Sequence, residues 1–154
     1  MKNELGVNAM YVERLLPTAR KGLVTVADGA PLLEAANLLH KGTDLVIVCS
    51  SAGLVSGVIT KTDVVGQMSK CRGASCTMAA SLAMTRDAVV CHPGELLQDV
   101  WKRMKERKLK NIPVVNKDSR PVGVLHARDI LQVLLEESKY EESMLIDYVM
   151  GIGY

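Results

Sequence analysis

At 154 residues the chain is long enough to bury a single core. Hydrophobic residues make up 48% of it, yet no run approaches the ~20 apolar residues of a membrane span, and Met1-Lys2-Asn3-Glu4 lacks the apolar core of a secretory signal. A net charge of +2 does not by itself call for a nucleic-acid partner, and with Phe absent and aromatics at 3% the composition counts against a base-stacking surface.

The predicted elements fall in a regular order. Val7, Met10, Tyr11, Arg14 and Leu15 are spaced as an amphipathic helix over residues 1–16. Residues 17–70 then read as strand (Val24-Thr25-Val26), helix (Leu32, Ala35, Ala36 and Leu39 on one face), strand (Val46-Ile47-Val48), turn (Ser50-Ser51-Ala52-Gly53), strand and helix. That last pair is carried by Gly57-Val58-Ile59-Thr60-Lys61-Thr62-Asp63-Val64-Val65. Residues 71–83 read as a linker, a loop followed by a short Ala/Met-rich helix.

Residues 84–137 repeat the order: strand at Val89-Val90-Cys91, helix with Leu97, Val100, Trp101 and Met104 on one face, and strand at Pro113-Val114-Val115. Lys102, Arg103, Lys105, Glu106, Arg107 and Lys108 read as the wet face of that helix. Gly123-Val124-Leu125-His126-Ala127-Arg128-Asp129-Ile130-Leu131 restates the earlier strand–helix junction 66 residues later. Offsets drift between 65 and 67, so the second copy has two extra residues in Lys105 to Asn111 and one fewer in its following turn. Residues 138–154 are expected to form a tail whose apolar stock (Met144, Leu145, Ile146, Tyr148, Val149, Met150) needs cover. Two copies in register define the architecture: an α/β chain of two pseudo-symmetric β-α-β-β-α repeats packed through small sheets.

Leu109-Lys110-Asn111-Ile112-Pro113-Val114-Val115-Asn116 with Gly123 to Leu131, and Met84-Thr85-Arg86-Asp87-Ala88-Val89-Val90 as a second-repeat entry, resemble the tandem CBS-domain (cystathionine beta-synthase domain) family over residues 15–137. The resemblance implies a regulatory module that binds an adenosine nucleotide between its repeats. It also implies pairing of modules into flat discs, hence a homodimer.

The strand–helix junction carries chemistry of its own. A helix N-terminus offers unpaired N–H groups and partial positive charge, which attract phosphate. Thr60 and Thr62 supply hydroxyls, and the acceptor-only Asp63 suits the two hydroxyls of a ribose. The residues alone also allow a purely structural assignment, with Thr60 as N-cap and Asp63 as a dipole-compensating acid.

Carried over by position, the resemblance implies two sites. Site one combines Thr60, Thr62 and Asp63 with Ala88, Val89, Leu109, Lys110 and Asn111. Site two combines His126, Arg128 and Asp129 with Leu23, Val24, Thr43 and Asp44. His126 departs from the expected Thr or Ser, and the first repeat is shorter where its adenine contacts would lie, so site one ranks first. Arg20, Lys21 and Arg86 precede the first strands and are candidate clamps for outer phosphates.

No nucleophile set, metal cluster or Walker loop can be assembled, so no catalytic residue, metal or catalytic cofactor is expected. Cys49, Cys71, Cys76 and Cys91 lack zinc spacing and read as reduced thiols of a cytoplasmic protein. The expected function is a sensor of AMP, ADP or ATP that signals to an effector protein, with S-adenosylmethionine and NAD sharing the adenosine part. A structural module with degenerate sites is the alternative, and nucleic-acid binding through the basic helix is the weakest reading.

Overall fold

A computed structural model describes residues 10–70 and 77–150. Tyr11 is extended, Val12–Leu15 form a 3-10 turn, and α1 runs Leu16–Lys21. The first repeat follows as β1 (Thr25–Ala27), α2 (Leu32–His40), β2 (Val46–Cys49), β3 (Val55–Ile59) and α3 (Lys61–Lys70). After α4 (Ala80–Ala83) come α5 (Leu97–Arg107), β4 (Asn111–Val115), β5 (Pro121–His126) and α6 (Ala127–Val149).

β1 pairs parallel to β2, and β2 pairs antiparallel to β3. In the second repeat β4 and β5 form an antiparallel pair. The strand expected at Val89-Val90-Cys91 is reduced there to one parallel bridge, Cys91 to Val114, closed by Cys91 N–H to Pro113 O at 2.9 Å and Val115 N–H to Cys91 O at 2.9 Å.

Alternation along the strands assigns each side chain to a layer. Val46, Val48 and Ile59 face the first-repeat core with Leu32, Ala35 and Leu39. Ile47 and Val58 point the other way and meet Val124 of β5. Leu125, one residue on from Val124, returns to the second-repeat core with Leu97, Val100, Met104 and Ile130. The repeats therefore join sheet to sheet, and Val46, Ile47 and Val48 are all buried because both faces of β2 are covered. Each large aliphatic side chain so buried contributes about 1.5–3 kcal/mol.

The entry segments cross over. Met10, Val12, Leu15 and Ala19, which precede the first repeat, lie in the core of the second. Ala80 and Ala83, which precede the second repeat, lie in the core of the first. Matched bonds hold both: Leu97 N–H to Met10 O at 2.8 Å, and Leu32 N–H to Met78 O at 2.7 Å. A glycine admits each entry segment. A Cβ on Gly123 would stand 2.7 Å from the Ala19 methyl, and one on Gly57 would stand 2.6 Å from the Thr85 carbonyl oxygen.

Two boundaries differ from expectation. The helix expected over residues 1–16 is instead the bridge at Tyr11, the 3-10 turn and α1, because Pro17 opens a new helix in the first turn of α1; residues 1–9 lie outside the described residues. The tail expected from residue 138 continues α6 to Val149. Leu145, Ile146 and Met150 are exposed on it. Cys71 and Cys76 also lie outside the described residues.

Candidate ligand cleft between the repeats

Where the sheets meet, a cleft of about 880 Å³ opens at the start of α3. Its lining takes Thr60, Lys61, Thr62 and Asp63 from the first junction, and Ala88, Val89, Leu109, Lys110 and Asn111 from the second repeat. All eight residues of the expected site one thus share one cavity. Leu45, Val58 and Pro113 add apolar wall, with Leu45 and Val58 fixed by the inter-repeat cluster.

Thr60 and Asp63 close a capping box. The Asp63 carboxylate accepts from Thr60 N–H at 2.9 Å and from the Thr60 hydroxyl at 3.1 Å through the same oxygen, Oδ2. Its other oxygen, Oδ1, accepts from the Thr85 hydroxyl at 3.0 Å. Thr85 is anchored by its backbone, which exchanges two hydrogen bonds with Val58 at 2.8 and 3.1 Å. The structural role for this pair, left open by the residues alone, is therefore realised, and it leaves the carboxylate on the cleft wall.

Charge favours an anion. Lys61, Arg107, Lys108, Lys110 and Arg128 line the cleft against Asp44, Asp63 and Asp87. The α3 N-terminus adds its partial positive charge. Arg107 and Lys108 were expected on a wet helix face. They reach the cleft because α5 ends at Arg107 and Lys108 turns left-handed, with φ of 55°, inside the two-residue insertion. That insertion was the signal in the sequence for them. Thr85, Leu45, Val58 and Pro113 carried no such signal. Asp87, also left-handed with φ of 52°, sits on the same wall.

The residues expected to form site two are divided among several surroundings. Asp44, His126 and Arg128 line the cleft already described. Leu23 packs in the inter-repeat cluster and Val24 against the first-repeat core. Thr43 N–H donates to Leu38 O at 3.3 Å, and neither Thr43 nor Asp129 lines the cleft.

The His126 ring is hydrogen-bonded through Nδ1 to Asn111 Oδ1, and the same nitrogen lies 3.9 Å from Asp44 Oδ2. The Asn111 bond lies within the β4–β5 pair, whose register sets the two residues opposite each other, and only the approach to Asp44 crosses to the first repeat. Gly22, at the end of α1, comes close on the other side: a Cβ there would lie 3.6 Å from His126 Nε2.

The outer cations are spread. Arg20 and Lys21 form the last turn of α1, where their charge complements the helix dipole, and they stand away from the cleft. Arg86 donates to Ser81 O at 3.3 Å. Among the described residues no group of three or more His, Cys, Asp or Glu side chains could hold a metal ion. None of the described helices is long and apolar enough to cross a membrane.

Comparison with known proteins agrees with this architecture. The family model of the CBS domain matches twice, at residues 12–70 and 79–136. A CBS-domain containing protein from Agrobacterium tumefaciens is 26% identical, with a TM-score of 0.67 over 80% of this chain and 97% of its own. The CBS domain pair of protein MJ0100, solved with 5'-methylthioadenosine and S-adenosyl-L-methionine, is 22% identical at a TM-score of 0.69, covering 84% and 99%. CBSX2, solved with AMP, is 21% identical at a TM-score of 0.69, covering 82% and 97%. A homoserine O-acetyltransferase from Methanococcoides burtonii is 28% identical over 114 residues, 73% of this chain. The chain spans only 22% of that enzyme's length. Both repeats, their order and their packing converge on one conclusion: the chain belongs to the CBS domain family.

Proposed function

We propose that this protein is a non-catalytic regulatory module that binds an adenosine nucleotide, AMP, ADP or ATP, in the cleft between its repeats. The observation that carries the reading is the convergence of the Thr60–Asp63 junction of one repeat and the Ala88–Val89 and Leu109–Asn111 segments of the other on one cationic cavity. In this reading the apolar wall sandwiches the base, Lys110 and Asn111 read its edge, and Asp63 takes the ribose. Thr60, Thr62 and the α3 N-terminus hold the phosphate. The adenosine ligands in the MJ0100 pair and in CBSX2 support the ligand class. S-adenosylmethionine and NAD fall in the same class.

Ligand that spans both repeats would bias their relative angle, and only by its differential affinity for the two arrangements. The output in this reading is a changed surface offered to a second copy in a homodimer and to an effector protein, in the cytoplasm. The exposed apolar residues of α6 are the part of the molecule that supports such contacts.

The test is thermal unfolding of ligand-stripped protein against AMP, ADP, ATP, NAD, S-adenosylmethionine and GTP. A ligand that binds only the folded state stabilises it by about 2.7 kcal/mol at a hundredfold excess over its dissociation constant. The expected result is a shift with one or more adenosine ligands and none with GTP. The absence of any shift would favour the second reading, an interaction module whose junction residues serve the fold alone. The engagement of both Asp63 oxygens by Thr60 and Thr85 is what favours that reading.

A further inference from the structure

We infer that the Thr85 hydroxyl is a latch on Asp63 that a ribose must displace, so that sugar recognition and loss of this side-chain tie to the second-repeat entry segment are one event. The inference rests on the nucleotide reading of the cleft and follows from counting acceptor sites. An ionised carboxylate has about four lone-pair positions, two per oxygen. Among the described residues Oδ2 accepts two bonds, both from Thr60, and is full. Oδ1 accepts one, from Thr85, and has one position left.

A sugar with a single hydroxyl in reach can use that position without disturbing anything. A cis-diol needs two. The second must come from Thr60 or Thr85. The Thr60 bonds close a capping box three residues long and satisfy a backbone N–H, so breaking them uncaps α3. The Thr85 bond is made by a rotatable hydroxyl on an exposed residue 22 positions away, and water can satisfy that hydroxyl once it turns. Thr85 is therefore the group that yields.

The consequence reaches the repeat interface. Thr85 lies between α4, which packs on the first repeat, and Ala88–Val89 on the cleft wall of the second. Its side-chain bond to Asp63 and its backbone bridge to Val58 tie that segment to the first repeat. A diol that takes the Asp63 position removes the side-chain tie and leaves Thr85 held by its backbone bridge to Val58 and by the packing of α4 on the first repeat.

Calorimetric titration of wild type, Thr85→Val, Thr85→Ala and Thr85→Ser with AMP and with 2'-deoxy-AMP tests this. Deleting the hydroxyl removes the bond the diol must break, one hydrogen bond to an ionised acceptor. Valine and alanine should therefore each tighten AMP binding about tenfold. Binding of 2'-deoxy-AMP, which needs only the open position, should stay within about twofold of wild type. Serine keeps the hydroxyl and should match wild type for both. Alanine adds no bulk, so the result does not depend on how valine packs. Weaker or unchanged AMP binding in both deletions, or an equal gain for the two nucleotides, would overturn the latch while leaving nucleotide binding intact. Failure of every variant and of wild type to bind either nucleotide would overturn both the latch and the reading beneath it.

Discussion

The two strand–helix junctions are nearly one sequence and do different things. At the first, Thr60 and Asp63 cap α3 and present a carboxylate to the cleft. At the second, His126 takes the Thr60 position, bonds Asn111 and faces Asp44, while no described residue hydrogen-bonds the Asp129 carboxylate. The N–H of Ala127, first in α6, donates to Lys110 O at 2.8 Å. With an imidazole in place of the hydroxyl, the junction side chain bonds across the β4–β5 pair to Asn111 and comes within 3.9 Å of Asp44 in the first repeat. Two halves of a duplicated motif can thus share a backbone and differ in the hydrogen bonds their side chains make.

The steric half of the comparison predicts the largest effect. Gly57 and Gly123 both receive an entry segment too closely for a side chain. Gly57→Val and Gly123→Val should each destabilise the protein by about 3 kcal/mol, since the obstructing atoms include backbone. Denaturant midpoints would check it; a tolerated valine at one glycine only would show that the two approaches are not equivalent. Next come the acids. Asp63→Ala should weaken AMP binding about thirtyfold and cost about 1 kcal/mol of cap, whereas Asp129→Ala should change affinity less than about threefold. Equal losses in a titration would restore a second site.

A smaller contrast lies at the bridging strand. The position held by Val26 in the first repeat is Cys91 in the second. Burial, aided by the nearby Glu95 charge, pushes the Cys91 thiol up to about 12 from 9.0. A thiol raised in the folded state stabilises it below the unfolded value, and the contribution is lost as pH rises from 9.0 toward about 12. Stability should fall by up to about 1.4 kcal/mol per pH unit in that window relative to Cys91→Ala. Paired denaturation curves at pH 8 and 10 would read it, and a thiol alkylating agent should label Cys91 only after unfolding.

The smallest effect is the clamp that the first repeat lacks. Arg103 pairs with Glu95 at 2.5 Å and donates to Val90 O at 3.0 Å, where the first repeat has Leu38 and Ala30. The Arg103 hydrogen bond lowers the Glu95 pKa from 4.5. Its contribution is present above that value and is lost as pH falls through the lowered one. Because the pair is partly exposed, Arg103→Gln should cost about 1 kcal/mol or less at pH 7, and the difference from wild type should vanish in strong acid. A difference that persisted at pH 2 would assign the effect to the Val90 O bond and packing instead of to the ion pair.

The contrast between what was legible and what was not follows the range of the interactions. The duplicated order of strands and helices, the buried faces of α2 and α5, and the pairing of Thr60 with Asp63 rest on residues within one or two turns of each other, so spacing alone exposes them. The Cys91 strand was legible in position but not in extent, because its length is decided by how much of β4 lies beside it. Arg107 and Lys108 read as helix face because the polar pattern runs through Lys108, whereas α5 ends at Arg107 and Lys108 turns left-handed beside the cleft.

The sequence by itself determined two repeats, their internal order and the placing of Thr60 and Asp63 together at the first junction, since periodicity and short-range spacing are written into neighbouring residues. Only the tertiary structure decided that each entry segment packs on the opposite repeat, that Thr85 reaches Asp63, and that His126 faces Asp44. Those contacts join residues from 22 to more than 80 positions apart, and which pairs meet depends on how two sheets stack, a choice that no local pattern encodes.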